Sequence, residues 1–205
     1  MKNTKSKYLI VVLALILAIS FLGCANKSDN GQVKEDKAGS LELVQVAIDV
    51  ANDLKSLNME SLAEHINLDR GIIIAPYSNI DLANAIKFTK EEFTTLKDNP
   101  DQFTWGSYDG SGEPILLNFS DYYNLFIFDA DFTIPDLIGV DENIGAGNTI
   151  NNLSEVFTNS EFIEFHVKGI DPQYDGMDWR SLRLGFEKID NKYFLIYIAH
   201  DQWTI

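Results

Sequence analysis

Apolar residues recur with a helical spacing in the first part of this chain and alternate two by two near its end. Behind Ser40, a suitable N-cap, Leu43, Val44, Ala47, Val50, Ala51 and Leu54 share one helical face. Asn58 precedes Met59, Leu62, Ala63 and Ile66, the same repeat in shorter form, which predicts a second helix capped by that asparagine. Residues 71–75 are a β-branched run stopped by Pro76, the mark of a short buried strand. Thr89 and Glu92 have capping-box spacing and predict a helix over residues 90–97. Glycines within residues 108–114 predict a hairpin or long loop between 103–105 and 115–117. Asn118 opens a helical stretch over 119–128, residues 129–147 read as an irregular acidic loop, and 152–157 as one helical turn.

Residues 161–168 alternate, with Ile163, Phe165 and Val167 on one side and Glu164, His166 and Lys168 on the other. Residues 179–189 and 192–200 flank Asp190-Asn191, a pair that tolerates the left-handed backbone of a two-residue hairpin turn. Regular pairing from that turn sets Ser181 opposite His200, Arg180 opposite Asp201 and Arg183 opposite Ile198. One face then carries Leu182, Leu184, Phe186, Tyr193, Leu195 and Tyr197, a surface for helices to cover. The other gathers Trp179, Ser181, Arg183, Gly185, Phe194, Ile196, Ile198 and His200. On this reading Trp179, Ser181, Arg183 and His200 line a ligand pocket. Arg183 would pair an anionic group, Trp179 give apolar contact and His200 a pH-sensitive hydrogen bond. The fold class is α+β, with N-terminal helices packed on a curved antiparallel sheet. An architecture of that kind looks like the NTF2-like cone, whose cavity serves enzymes and plain binding modules alike.

The amino terminus adds a location. Lys2, Lys5 and Lys7 precede an uncharged apolar run over residues 8–22, which as a helix spans roughly 22 Å against a hydrocarbon core of roughly 30 Å. That length favours a cleaved export signal over a permanent span. Phe21-Leu22-Gly23-Cys24 resembles the lipobox of bacterial lipoproteins, in which the cysteine is lipidated and begins the mature chain. The resemblance implies a signal peptide over residues 1–23, palmitate-type lipid attachment at Cys24, and anchoring to the cell membrane on its extracytoplasmic side. Residues 24–39 are polar and read as a flexible tether, leaving 40–205 as one α+β domain.

Charge narrows the partners. The chain holds 31 acidic against 16 basic residues, a formal charge of −15, and the export signal would remove three lysines and no acid. Nucleic acid is a poor partner for such a surface, and anionic lipid head groups would repel it, so the membrane contact falls to the lipid. Motifs for zincin, P-loop, nucleophile-elbow and thioredoxin chemistry are missing, and no cofactor or metal motif is present. The acid pairs in residues 129–142 lack EF-hand spacing and read as a solvated loop.

Three blocks, residues 103–114, 176–184 and 200–205, resemble an uncharacterised bacterial extracytoplasmic lipoprotein family, which implies a location and a single domain but no activity. The expected function is non-catalytic binding of a small molecule or envelope component. The alternatives are an envelope hydrolase using a histidine and an acid, and a protein-interaction or calcium-stabilised scaffold module.

Overall fold

The computed structural model describes residues 32–204, so the export signal, Cys24 and the tether up to residue 31 lie outside the described residues. The first helix, α1 (Gln32–Ser56), begins ahead of the apolar repeat, and Ser40 lies inside it instead of capping it. The reason is that propensity and packing are separate signals. Residues 33–38 include good helix formers, which extend a helix already held by its packed part without needing an apolar stripe. Packing starts at Leu43: Leu43, Ala47, Val50, Ala51 and Leu54 are all buried. Each of the larger three contributes roughly 1.5–3 kcal/mol of transfer free energy.

Helix α2 (Met59–Glu64) is capped by Asn58, whose side chain accepts from the Ser61 amide. In α3 (Lys90–Thr95) both arms of the capping box form: the Glu92 amide donates to Thr89 Oγ1 at 3.2 Å, and the Thr89 amide to Glu92 Oε2 at 2.8 Å. Helix α4 (Phe119–Phe126) is capped by Asn118, and α5 (Leu153–Val156) is a single turn.

Among the described residues, eight strands make two sheets. The larger has six strands in the order β2 (Lys87–Phe88), β1 (Ile72–Ala75), β8 (Lys192–Gln202), β7 (Arg180–Ile189), β6 (Glu161–Val167), β5 (Leu137–Val140). All neighbours are antiparallel except β1 and β8, which run parallel. The sheet is therefore mostly antiparallel, not wholly so, because the first strand enters beside the last. Strand β5 lies within the stretch read as irregular loop. Its hydrophobic run is only Leu137-Ile138-Gly139-Val140, and the acids around it mask the signal. The second sheet is the hairpin of β3 (Phe103–Ser107) and β4 (Pro114–Leu117).

Helix α1 covers one face of the large sheet, over Ile72, Ile74, Ile163, Phe165, Leu182, Leu184, Phe186, Tyr193, Leu195 and Ile198. A smaller cluster holds the other face: Ile73, Ala75, Ile80, Leu153, Phe157, Ile196, Tyr197 and Ala199. The hairpin and α4 share an aromatic cluster in which Trp105 stacks on Tyr122 at 3.9 Å. Trp105 Nε1 donates to the Leu117 carbonyl at 2.9 Å.

Candidate functional site

The turn at Asp190-Asn191 has both residues left-handed, at φ 50° and 63°, as a two-residue hairpin requires. Regular pairing holds from Ile189 opposite Lys192 through Phe186 opposite Leu195. There a β-bulge leaves Ile196 as an extra residue, and the register moves by one: Gly185 faces Tyr197, Arg183 faces Ala199, and Leu182 faces His200. Because side chains alternate with a period of two, Ile198 and His200 move to the helix-covered face, and Tyr197, Ala199 and Asp201 join Arg183.

The expected four-residue pocket is corrected accordingly. Trp179, Ser181 and Arg183 do come together, on the face away from α1, but His200 lies behind the sheet. Serine, arginine and tryptophan meet a partner that strand alternation had placed on a polar face. Glu164 stands directly opposite Arg183, and His166 opposite Ser181. Both Glu164 and Arg183 are wholly buried. The signal for Glu164 was present in its alternation with Ile163 and Phe165, but which strand it would pair with was not.

Every polar atom of this cluster with a described contact is turned toward protein. Arg183 donates from Nε to Glu164 Oε2 at 2.9 Å, from Nη1 to Asp201 Oδ2 at 2.6 Å and to Ser78 Oγ, and from Nη2 to the Gly145 carbonyl at 2.7 Å. Glu164 also accepts from the amides of Ile144 at 3.0 Å and Gly145 at 2.7 Å, and from Ser181 Oγ at 2.6 Å. The single Ser181 proton thus points to Glu164, so its oxygen accepts from His166 Nδ1, 2.8 Å away, which fixes that ring as the Nδ1–H tautomer. Burial holds the His166 pKa below its usual value, against the pull of Glu164. Gly145 is required here: a Cβ would lie 2.5 Å from Ser181 Oγ and 2.6 Å from the Trp179 ring. The guanidinium is compensated by two buried carboxylates and fills the space expected to receive an anion.

Behind the sheet, His200 Nε2 lies 3.1 Å from Asp129 Oδ1, and Arg180 Nε donates to Asp129 Oδ2 at 2.5 Å. Burial alone would raise the Asp129 carboxyl, but the hydrogen bond and charge of His200, with Arg180, hold it below the usual range. This is a histidine–acid pair, yet His200 is wholly buried and its Nδ1 has no hydrogen-bond partner among the described residues. A general acid or base needs a substrate proton within hydrogen-bond reach, and the His200 ring is closed off from solvent. Asp201, next to His200 in the strand, points to the opposite face and accepts from Arg183.

The open space is elsewhere. A cleft of about 540 Å³ lies between the end of β1 with residues 76–85 on one side and β3 with its following turn on the other. Its volume is in the range of small-ligand sites. Tyr77, Asn79, Asp81, Asn84, Tyr108, Asp109 and Thr149 contribute to its lining, which among the described residues includes no basic side chain. Burial raises the Tyr77 hydroxyl above its usual value, and that oxygen accepts from the Asp109 amide at 3.5 Å. Thr149 also lines the cleft, its Oγ1 3.4 Å from Asp109 Oδ2 and 3.2 Å from Thr204 Oγ1.

The arginine network and the cleft are joined through the backbone. Ser78, bonded to Arg183, belongs to the segment that forms one wall of the cleft, and Gly145 leads into Thr149. Asn152 ties the same wall, accepting from the Ile80 amide at 2.8 Å and donating to the Ile80 carbonyl at 2.9 Å. Arg183 therefore bonds to both loops that flank the cleft. Comparison with protein-family models, with characterised proteins and with solved structures finds no match to this chain.

Proposed function

We propose that this chain is a non-catalytic binding module of the bacterial cell envelope, anchored on the extracytoplasmic side through a lipid on Cys24, and that its ligand occupies the cleft between β1 and β3. The observation that carries this reading is the contrast between two sites. The residues best equipped for chemistry, Arg183, Glu164, His166 and His200, are buried and bonded within the protein, whereas the cleft is open and its walls are held by that same network. Helices that precede the sheet and lie on one of its faces support an NTF2-like reading of the fold. The strongly acidic composition supports attachment through lipid and not through a basic surface.

The test uses the full chain in detergent micelles. Metabolic labelling with an alkyne palmitate should mark the wild type and not Cys24→Ala. Thermal shift against purified envelope glycans, wall peptides and lipids should give a rise in Tm with at least one component. That rise should vanish in Ser107→Trp, which places an indole at an exposed residue of the cleft lining. Unlabelled Cys24, or a rise that Ser107→Trp leaves unchanged, overturns the reading.

A further inference from the structure

Consecutive residues line both walls of the cleft: residues 74–77 on one side and 104–109 on the other. Side chains of a strand alternate between its two faces, so one face can present only every second residue. Within the strands, Ile74–Ala75 of β1 and residues 104–107 of β3 line it without a break, which places the strand edges at these walls. The pairing agrees. On its outer side β1 is paired with β2 only at Ile72 and Ile73, and no partner is described there for Ile74 and Ala75. Strand β3 pairs with β4 alone, and its register shifts between Thr104 and Ser107, within the stretch that lines the cleft. The two edges approach at Pro76 and Gly106, where a Cβ on the glycine would sit 3.3 Å from the proline ring.

Other ligand classes fit these walls less well. A sugar lies best between several aromatic faces, but Trp105 is 3% exposed with its face taken by Tyr122 and Tyr77 is 7% exposed, which leaves Tyr108, 37% exposed, as the one open ring in the described lining. An anion needs a cation, and none lines the cleft, while Asp81 and Asp109 do.

Resting on the reading of this cleft as the binding site, we propose that its ligand is an extended peptide carrying positive charge, paired through its main chain to the free strand edges of β1 and β3. Main-chain bonds supply the affinity in strand addition, and pockets for alternate side chains supply the choice of sequence. Here Asp81 and Asp109 favour lysine or a free amine on the peptide, and an acidic peptide is repelled.

The test uses the full chain in micelles at 0.15 M salt, with fluorescein-labelled acetyl-(Lys-Val)3-amide, its (Glu-Val)3 counterpart, and the lysine peptide N-methylated at its valine amides. Anisotropy should show the lysine peptide binding at least tenfold tighter than both others. The N-methylated peptide keeps the charge and side chains, so it separates strand pairing from attraction to an acidic protein. Amide hydrogen exchange over residues 74–75 and 104–107 should slow on binding, and Ser107→Trp should abolish both effects. Equal binding of the methylated peptide, or no peptide binding, overturns the proposal. If a glycan or lipid then raises Tm in a manner that Ser107→Trp abolishes, the cleft remains the binding site and only the peptide is wrong. If nothing binds there, both readings fall.

Discussion

Glu164 and Arg183 face each other directly across β6 and β7, with Nε 2.9 Å from Oε2 and neither side chain open to solvent. Taking two charges out of water is costly, and the pair persists because Gly145, Ile144, Ser181, Ser78 and Asp201 complete their hydrogen bonds. Removing the guanidinium leaves two buried carboxylates unpaired. Arg183→Leu should lower unfolding free energy by about 3–5 kcal/mol, a drop of roughly 6–20 °C in Tm for a chain of this size. Arg183→Lys should recover only part of it, since an ammonium cannot reproduce the fork. Thermal unfolding followed by circular dichroism decides the matter, and a Tm within 2 °C of wild type for Arg183→Leu would refute this account of the network.

Gly185 and Tyr197 are opposite each other, and the tyrosine ring lies over the glycine. A Cβ on Gly185 would fall 1.9 Å from that ring, and the ring also packs on Phe157 at 4.6 Å. Gly185→Ala should therefore cost about 1–3 kcal/mol by overpacking. Tyr197→Leu also costs stability, but it frees the space that the new methyl needs. The double variant should be more stable than the sum of the two losses implies, by about 0.5–3 kcal/mol. Additive losses in urea titrations would show that the ring does not set the requirement for glycine.

Gly185 also marks how far the sequence could be read. The hairpin, its turn and its first four pairs follow from Asp190-Asn191 and from alternation, and so does the helix-facing surface of Leu182, Leu184, Phe186, Tyr193 and Leu195. The bulge at Ile196 does not, because an extra residue in an apolar run leaves no gap in hydrophobicity. A glycine within a strand pattern was the available sign of it. The cost of missing that residue was large, since it moved His200 to the opposite face. The cleft was less legible still. It is bounded by backbone edges from strands far apart in the chain, and an edge has no side-chain signature.

Stability should fall as pH drops below neutrality. Burial lowers the pKa of both His65 and His166, with Asp53 and Glu164 opposing the shift. The unfolded chain takes up these protons near the ordinary value of 6.5, while the folded protein resists until lower pH. The two groups contribute no loss well above 6.5, and a growing loss as pH falls from there toward their folded values. Asp129 acts in a lower window: its depressed carboxyl stabilises the fold above the ordinary 3.8, and that contribution disappears as pH falls through the folded value. Tm should decline between pH 7.5 and 5.5, and His65→Gln with His166→Gln should flatten the decline. An unchanged slope in the double variant would assign the loss to other groups.

The bulge makes opposite predictions for removing and adding a residue in β8. Without Ile196, Leu195 still meets Phe186 and the next residue, Tyr197, still meets Gly185, so every later side chain keeps its face. The deletion costs the burial of one isoleucine, about 2–5 kcal/mol, and the Arg183 network survives. One alanine inserted between Ile198 and Ala199 does the reverse. It moves Asp201 into the place of Gln202, opposite Arg180 on the helix-covered face, and His200 into the place of Asp201, leaving Arg183 one carboxylate short. The deletion variant should therefore unfold cooperatively with a lowered Tm and native near-ultraviolet dichroism. The insertion variant should lose that signal. Equal damage from both changes would mean that β8 tolerates no shift at all, and that the face assigned to Asp201 is not what the bulge sets.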